Sequence, residues 1–550
     1  MKKELGWIAA GVMLAGCGGG GGSTPDSPPP VAAQPAPAPV VVTPPPPPPP
    51  TVSVLTAGIT RQVAVNTGIT MDVVVKPSFT PAGTLYASAA GMTGTDLTPA
   101  DAVTVTPNSD GSFTLGMSTV AGTSAGNYKG EFTVKLCSDA ACVTPQAVPT
   151  IKVPYAITVV ASGKAWPGDK ITPLAPWEGV ADWSTFQGNA AHTGFVPVTL
   201  NPDQFSLRWK IGSVSLTNIN GAAQTATLAA ANGLFYVAKD KKLEARRELD
   251  GTLAWSYDLS TLAYPSVNPP AVANGVVYMA GGQQSSTYMF ALDAATGSIV
   301  FKTPMASQWE SYLAPVAYDG AVYTNAGMYG GMYAIKSTGE LMFTAPVTQG
   351  AIWSPAVDAS AAYVFVNGTL SIYDRKTGTL RSKIQDTGAS PYGAYGYAGA
   401  PVLASAGTVI AADYSSTNYS APTNNLLKIN AEKGYVDWRQ AGVYTVTPAY
   451  ANGVIYAPNK SPYRLEARAE SDGALRWSWT PPIAGEVNWL AEPVVTNNMV
   501  FVSTDKNTYA IDMRTGKAVW SYPLAGRLAL TRSGILYIHS VEALVAVNVK

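Results

Sequence analysis

The chain has 550 residues, past the size at which a single core stops growing, so several domains are expected. Its 35 basic and 35 acidic side chains cancel, which leaves no electrostatic footprint for nucleic acid or anionic lipid. Three Cys and two His exclude a disulfide-dense scaffold and a Cys-rich metal protein, and leave little material for His-based catalysis. With 47% hydrophobic residues, 52 Gly and 43 Pro, the composition is that of a large, turn-rich β protein.

In chain order, residues 1–17 read as a signal peptide. Lys2 and Lys3 precede an apolar stretch, Leu5 to Ala15, too short to span a bilayer permanently. The stretch ends Leu14-Ala15-Gly16-Cys17 and resembles the lipobox of bacterial lipoproteins. The resemblance implies that Cys17 receives lipid and becomes the mature N-terminus, where acyl chains hold the body at a membrane. Gly18 follows instead of an Asp, which by the same resemblance favours the outer membrane, on its periplasmic face or at the cell surface. The alternative is an ordinary cleaved signal with an incidental Cys.

Residues 18–51 are low in complexity, with five consecutive glycines and seven prolines at Pro44–Pro50. Such a stretch cannot build a core, and reads as a disordered tether reaching roughly 100 Å when extended as polyproline II.

Residues 52–160 alternate short strand-like runs with turn signals, for example Val103–Thr106, Ser112–Gly116, Glu131–Leu136 and Ile151–Val159. The stretch from Ala125 to Cys137 resembles the penultimate strand of bacterial immunoglobulin-like domains. Cys137 and Cys142 are expected to pair in an exported protein, since four residues separate them and no redox CxxC is formed. Residues 161–182 form a Pro-containing linker.

From 183 to 550 the chain repeats. The phrase Asn-Gly-Val-Val-Tyr recurs eight times, strictly or loosely, from Tyr236 to Tyr537, at intervals of 36 to 47 residues. A second phrase follows the first seven copies, clearest at Ala291–Phe301 and Ala510–Trp520, with Gly four residues before an aromatic. The Gly/aromatic pairs are 251/255, 297/301, 339/343, 434/438, 473/477 and 516/520; Gly378 has Ser382 instead. Gly permits the positive φ of a tight hairpin, and a large ring can wedge between neighbouring sheets. Short strands at this period predict a propeller of eight blades. The eighth copy lacks its second phrase, and the orphan strand Phe205–Ile211 is expected to complete that blade and close the ring.

These repeats resemble the quinoprotein-type eight-bladed β-propeller, and Trp183-Ser-Thr-Phe-Gln-Gly-Asn189 is similar to the opening of its members. The fold class expected is therefore all-β: an eight-bladed propeller preceded by an immunoglobulin-like β-sandwich and the tether. The resemblance implies one of two branches. Quinone-dependent dehydrogenases hold pyrroloquinoline quinone in the channel with Ca²⁺ and an Asp base. Non-enzymatic lipoproteins of the outer-membrane assembly factor BamB type do not.

The chain has no Cys after Cys142 and no Cys-x-x-Cys-His, so neither a vicinal disulfide nor a haem site lies in the propeller. Asp293, Asp374 and Asp512 sit in the repeated turn and read as turn ligands rather than metal ligands. His192 reads as a loop residue and His539 as a packing residue. No catalytic residue, metal or cofactor is expected. The candidate binding residues are aromatics in the loops leading into the innermost strands: Trp309, Tyr312, Trp353, Tyr395, Tyr397, Tyr444 and Trp489, with Tyr264 beside them. The other reading of these rings is packing between blades. The expected function is a monomeric, lipid-anchored platform for a protein partner in the cell envelope, with a β-barrel assembly component as the candidate. A polysaccharide or adhesion-related binder is the alternative, and a quinone-dependent dehydrogenase the second.

Overall fold

The computed structural model describes residues 48–550 except 65–69, 91–102, 119–123, 161–170, 172, 215, 218–222, 225, 263–264, 284, 307–312, 327–329, 348–352, 388–398, 416–422 and 484. Residues 1–47, on which the expected signal peptide with Cys17 and most of the expected tether fall, lie outside the described residues.

Two four-stranded sheets come first. One has the order Val52–Val54, Thr70–Pro77, Phe113–Ser118, Thr104–Pro107; the other Ile59–Ala64, Ile151–Val160, Gly126–Cys137, Tyr86–Ala90. Ile59–Ala64 runs parallel to its neighbour, and the remaining pairs are antiparallel. Alternate residues point to a shared core: Met71, Val73 and Val75 from one sheet meet Phe132, Val134, Val153 and Ile157 from the other. Cys137, at the end of the longest strand, is disulfide-bonded to Cys142, with Cα atoms 5.1 Å apart. The Asp139 carboxylate shapes the intervening turn by accepting the Val143 and Thr144 amides at 3.1 and 2.7 Å.

Among the described residues, 206–548 form, besides a two-stranded ribbon of Leu216–Thr217 and Ala223–Gln224, eight larger antiparallel sheets, numbered here in chain order: 229–258, 266–305, 316–345, 356–385, 402–440, 449–479, 494–522 and 527–548. In the first seven sheets a Gly-containing turn precedes the outermost strand, and its glycine has positive φ. Asp293 Oδ1 accepts the Ala295 and Thr296 amides at 3.1 and 2.8 Å and the Thr296 hydroxyl at 2.8 Å. Asp374 and Asp512 cap their turns in the same way. These carboxylates are turn ligands.

In five sheets the ring at Gly+4 packs on the turn glycine of the next. Trp255 of the first sheet lies where a Cβ on Gly297 of the second would be, at 2.6 Å, and its indole N–H donates to Ala294 O at 3.0 Å. Phe301 sits against Gly339, Phe343 against Gly378, Trp438 against Gly473 and Trp477 against Gly516. Trp438 Nε1 donates to Glu470 O at 3.0 Å, three residues before its glycine, as Trp255 does. Gly297 is thus required twice, by φ 74° and by the ring pressed on it. Where Ser382 replaces the ring, the next glycine, Gly434, has nothing within 4 Å of its Cβ position. The core is accordingly distributed between adjacent sheets: Tyr236 and Leu243 of the first pack with Val277 and Phe290 of the second.

The eighth sheet is completed from the other end of the chain. Ser206–Gly212 pairs antiparallel with Ala543–Asn548, placing Trp209 opposite Ala546. Trp209 then lies against Gly251 of the first sheet and donates its N–H to Glu248 O at 2.9 Å. The repeat is a β-propeller whose last sheet is closed by its first strand, so that the sheet edge there is paired.

The sandwich strands Ile59–Ala64 and Thr70–Pro77 contact Lys517–Tyr522, the outermost strand of the seventh sheet. Arg61 pairs with Asp203, and Asp72 with Arg514, across this contact.

Candidate functional site

The centre of the ring holds a segment of the chain itself. Residues 183–196 pass the innermost strands in order and bond to seven sheets. Trp183 O accepts Ala230 N–H at 2.7 Å, and Ser184 O accepts Val272 N–H at 2.8 Å. The Thr185 hydroxyl donates to Pro315 O at 2.6 Å. Ala190, Ala191 and Thr193 carbonyls accept the amides of Val357, Leu403 and Tyr450 at 2.9, 2.9 and 2.8 Å. Val495 donates to Gly194 O and accepts from Val196 N–H, both at 2.8 Å. The chain then enters the eighth sheet as its closing strand. This collar satisfies inward-facing backbone groups that a plain ring would leave to water or a ligand.

Side chains carry the collar across the channel. Gln187 lies in the part of the collar between its third- and fourth-sheet contacts, yet its amide donates to Pro448 O, beside the sixth sheet, at 3.0 Å. His192 is fully buried, edge-on to Phe186 at 5.5 Å, with Nδ1 3.2 Å from Pro401 O. Burial pushes its pKa down to about 4, against which the Pro401 hydrogen bond acts. His539 is likewise buried, with Nδ1 2.8 Å from Ala226 O and a pKa of about 4. Both rings are packing groups in the native fold. His192 is an interior residue rather than an open-loop one.

Of the candidate aromatics, Trp309, Tyr312, Tyr395 and Tyr397 lie outside the described residues, as does Tyr264. Trp353, Tyr444 and Trp489 are buried, at 2%, 1% and 5% exposure. They do not form an exposed aromatic face. Trp489 packs against Tyr463, tilted at 31° with ring centroids 4.6 Å apart, and donates to Asn459 O at 2.9 Å; the Tyr444 hydroxyl donates to Glu466 Oε2 at 2.7 Å. A large ring with one polar tip is held once both halves are satisfied, and here the protein satisfies them. The neighbours of Trp489 take the outer positions instead: Val487 and Leu490 are 53% and 40% exposed. Sequence reasoning passed over these two because isolated aliphatics in a loop carry no pattern.

The loops beneath are stapled by carboxylates. Glu466, fully buried, accepts Arg464 Nε at 2.7 Å, Arg468 Nε at 2.6 Å and the Tyr444 hydroxyl. Burial opposes its ionisation, and the bonds from Arg468, Tyr444 and Arg464 outweigh that, holding its carboxyl below the ordinary value. Glu486 accepts the Thr504 hydroxyl at 2.6 Å, the Asn507 amide at 3.2 Å and the Tyr509 hydroxyl at 3.0 Å. Burial, then the Glu486 charge, raises the Tyr509 pKa. Glu486 thereby ties the loop bearing Val487 and Leu490 to the hairpin at 503–508. The arrangement leaves Val487 and Leu490 exposed on a loop tied down through Glu486.

Residues 287–441 and 367–533 match the family model described as outer membrane protein assembly factor BamB. No curated protein matches the sequence. Among solved structures, apo AztD from Citrobacter koseri is similar at 11% identity, covering 58% of this chain and 94% of that one, with TM-score 0.39. The Dos1 propeller is 9% identical over 65% of this chain and 83% of its own, with TM-score 0.33. The WD40 domain of SCAP from fission yeast is 8% identical over 63% and 98%, with TM-score 0.36. Likeness at this level carries no argument about ligand or activity.

Proposed function

We propose that the protein is a cell-envelope scaffold: lipid-anchored through Cys17 at the outer membrane, with an eight-bladed propeller that docks a protein partner, and an immunoglobulin-like domain fixed to its flank. The observation that carries this is the match of 287–533 to a family whose model is named for outer membrane protein assembly. Val487 and Leu490, exposed on a loop tied down through Glu486, are the positions at which the docking role is probed.

We propose also that it works without turnover and without a quinone cofactor. Calcium and quinone would need oxygen ligands converging on the channel. Among the described residues no three of His, Cys, Asp and Glu lie close enough to hold a metal ion, and the collar itself takes the inner-strand bonding positions. Both observations support the reading without a quinone.

The test is in-cell crosslinking of the intact lipoprotein, with a photoreactive residue at Val487 or Leu490 and mass spectrometry of the products. Crosslinks to a β-barrel assembly component are expected. Recovery of glycan alone, or of nothing above background, would sink the protein-docking reading. Quinone-dependent dye reduction with a calcium-dependent rise in Tm would sink the non-enzymatic one.

A further inference from the structure

Three buried glutamates differ in how their carboxyls are supported. Glu466 accepts two guanidinium bonds and a phenol, and Glu486 two hydroxyls and an amide. Glu248, 2% exposed, accepts the Ser533 hydroxyl at 2.7 Å on Oε2, while its Oε1 is buried with no hydrogen-bond partner among the described residues. One neutral donor does not replace the water that a charged carboxylate loses on burial. The hydroxyls of Thr531 and Tyr537 adjoin the carboxyl, and both are buried without a hydrogen-bond partner among the described residues. A proton on Oε1 turns the unpaired oxygen into a donor with two hydroxyl oxygens beside it to accept.

Glu248 also sits where the ring closes. Its amide donates to Gly233 O at 2.9 Å within the first sheet, and its carbonyl accepts the Trp209 indole at 2.9 Å and Arg208 Nε at 3.3 Å from the closing strand. Its carboxyl reaches Ser533 in the hairpin turn of the eighth sheet. Trp209, Phe235 and Tyr537 pack together across the same joint. The charged and titratable groups around the carboxyl are Asp182 in the segment entering the channel, Arg208, Tyr236 of the first sheet and Tyr537 of the eighth. Asp182 lies 3.8 Å from Arg532 Nη1, Arg208 Nη1 donates to Asn548 Oδ1 at 3.0 Å, and Tyr236 donates to Ala294 O at 3.1 Å. Asp250, on the same turn as Glu248, accepts the Thr252 hydroxyl at 2.6 Å. Burial raises the Glu248 carboxyl above its ordinary value; the Ser533 and Thr531 hydroxyls and Arg208 oppose that rise, and Asp182 adds to it.

We infer that Glu248 is a proton-operated latch on the closing joint: its neutral carboxyl holds the first sheet to the eighth, and its ionisation as pH rises loosens that joint. The device does not depend on what the propeller binds. An open joint returns the carboxyl to water and its ordinary value, whereas the closed joint raises it. Closure is therefore fully held below the ordinary value and is lost as pH rises through the raised one, the opening equilibrium growing about tenfold per pH unit between them. The test is amide hydrogen exchange of the full chain, read by mass spectrometry from about pH 5 to about pH 9 and corrected for the intrinsic pH dependence of exchange. Wild type is compared with Glu248→Gln, whose side chain is neutral throughout; the histidines are common to both proteins and cancel. Exchange in Ser206–Gly212 should quicken with pH in wild type and stay level in Glu248→Gln, while Tyr435–Gln440, the outermost strand of the fifth sheet, behaves alike in both. A closing strand no more pH-dependent in wild type than in the variant, or a quickening shared by Tyr435–Gln440, overturns the latch. Should Glu248→Gln fail to fold, Asp182→Asn removes the neighbouring negative charge. Quickening is then expected to level off at a lower pH than in wild type, and an unchanged curve overturns the latch.

Discussion

Gly297 and Gly434 occupy the same turn in two sheets, both with φ near 75–80°, yet they face different neighbours. An added methyl strains the backbone at both, by about 1 kcal/mol, but only at Gly297 does it also meet a ring. Gly297→Ala is therefore expected to cost roughly 1–2 kcal/mol more than Gly434→Ala in urea unfolding, the difference being overpacking against Trp255. The converse change, Ser382→Trp, should raise Tm, because it supplies the missing ring above Gly434; a fall in Tm would show that the seam has closed around serine. The two histidines give a pH prediction. Their folded pKa of about 4 lies below the ordinary 6.5, so the unfolded chain binds more protons between these values. The stability they contribute is full above pH 6.5 and is lost as pH falls toward 4, by up to about 3 kcal/mol per ring. Thermal melts should show this slope, and replacing both rings by Gln should flatten it.

At the scale of elements, the collar and the closing strand are one continuous segment, and each constrains the ring differently. Gly194 has φ 64°, and a Cβ there would lie 2.7 Å from Pro493 O. Gly194→Val should lower Tm strongly, since backbone rather than a flexible side chain must yield. Trp209 joins the last sheet to the first, and the strand it covers, Ala543–Asn548, is buried along its length. Trp209→Ala is expected to cost roughly 3–5 kcal/mol and to promote aggregation seen by light scattering, through opening of that edge. Trp255→Ala, which breaks a joint between consecutive sheets, should destabilise without aggregation, because the chain still connects the two sheets. Similar light scattering from both variants would refute the special role of the closing joint.

For the whole molecule, the contact between sandwich and propeller is polar at its edges. Arg61 is 7% exposed and, through burial, its pKa falls to about 10 despite the opposing charge of Asp72. Burial also raises the Asp72 carboxyl, with Arg514 acting against it. Removing one partner of a desolvated pair costs more than the pair contributes, so Asp203→Asn should destabilise the joint by roughly 2–3 kcal/mol. Asp72→Asn and Arg514→Gln should be non-additive in a double-mutant cycle. Limited proteolysis, with the sandwich released earlier in the variants, reads both; unchanged release would mean that apolar contact alone holds it.

What the sequence determined by itself was everything that repeats or acts locally. The period, the Gly+4 ring, the turn role of Asp293, Asp374 and Asp512, and the orphan strand at 205–211 were legible, because each depends on residues a few positions apart or on self-similarity. The tertiary structure alone decided what depends on distant neighbours. Burial of Trp353, Tyr444 and Trp489 could not be read from ring chemistry, since the same ring serves a surface or a seam according to what lies opposite. The collar had a recognisable opening at Trp183, but its bonds to seven sheets join residues up to about three hundred positions apart.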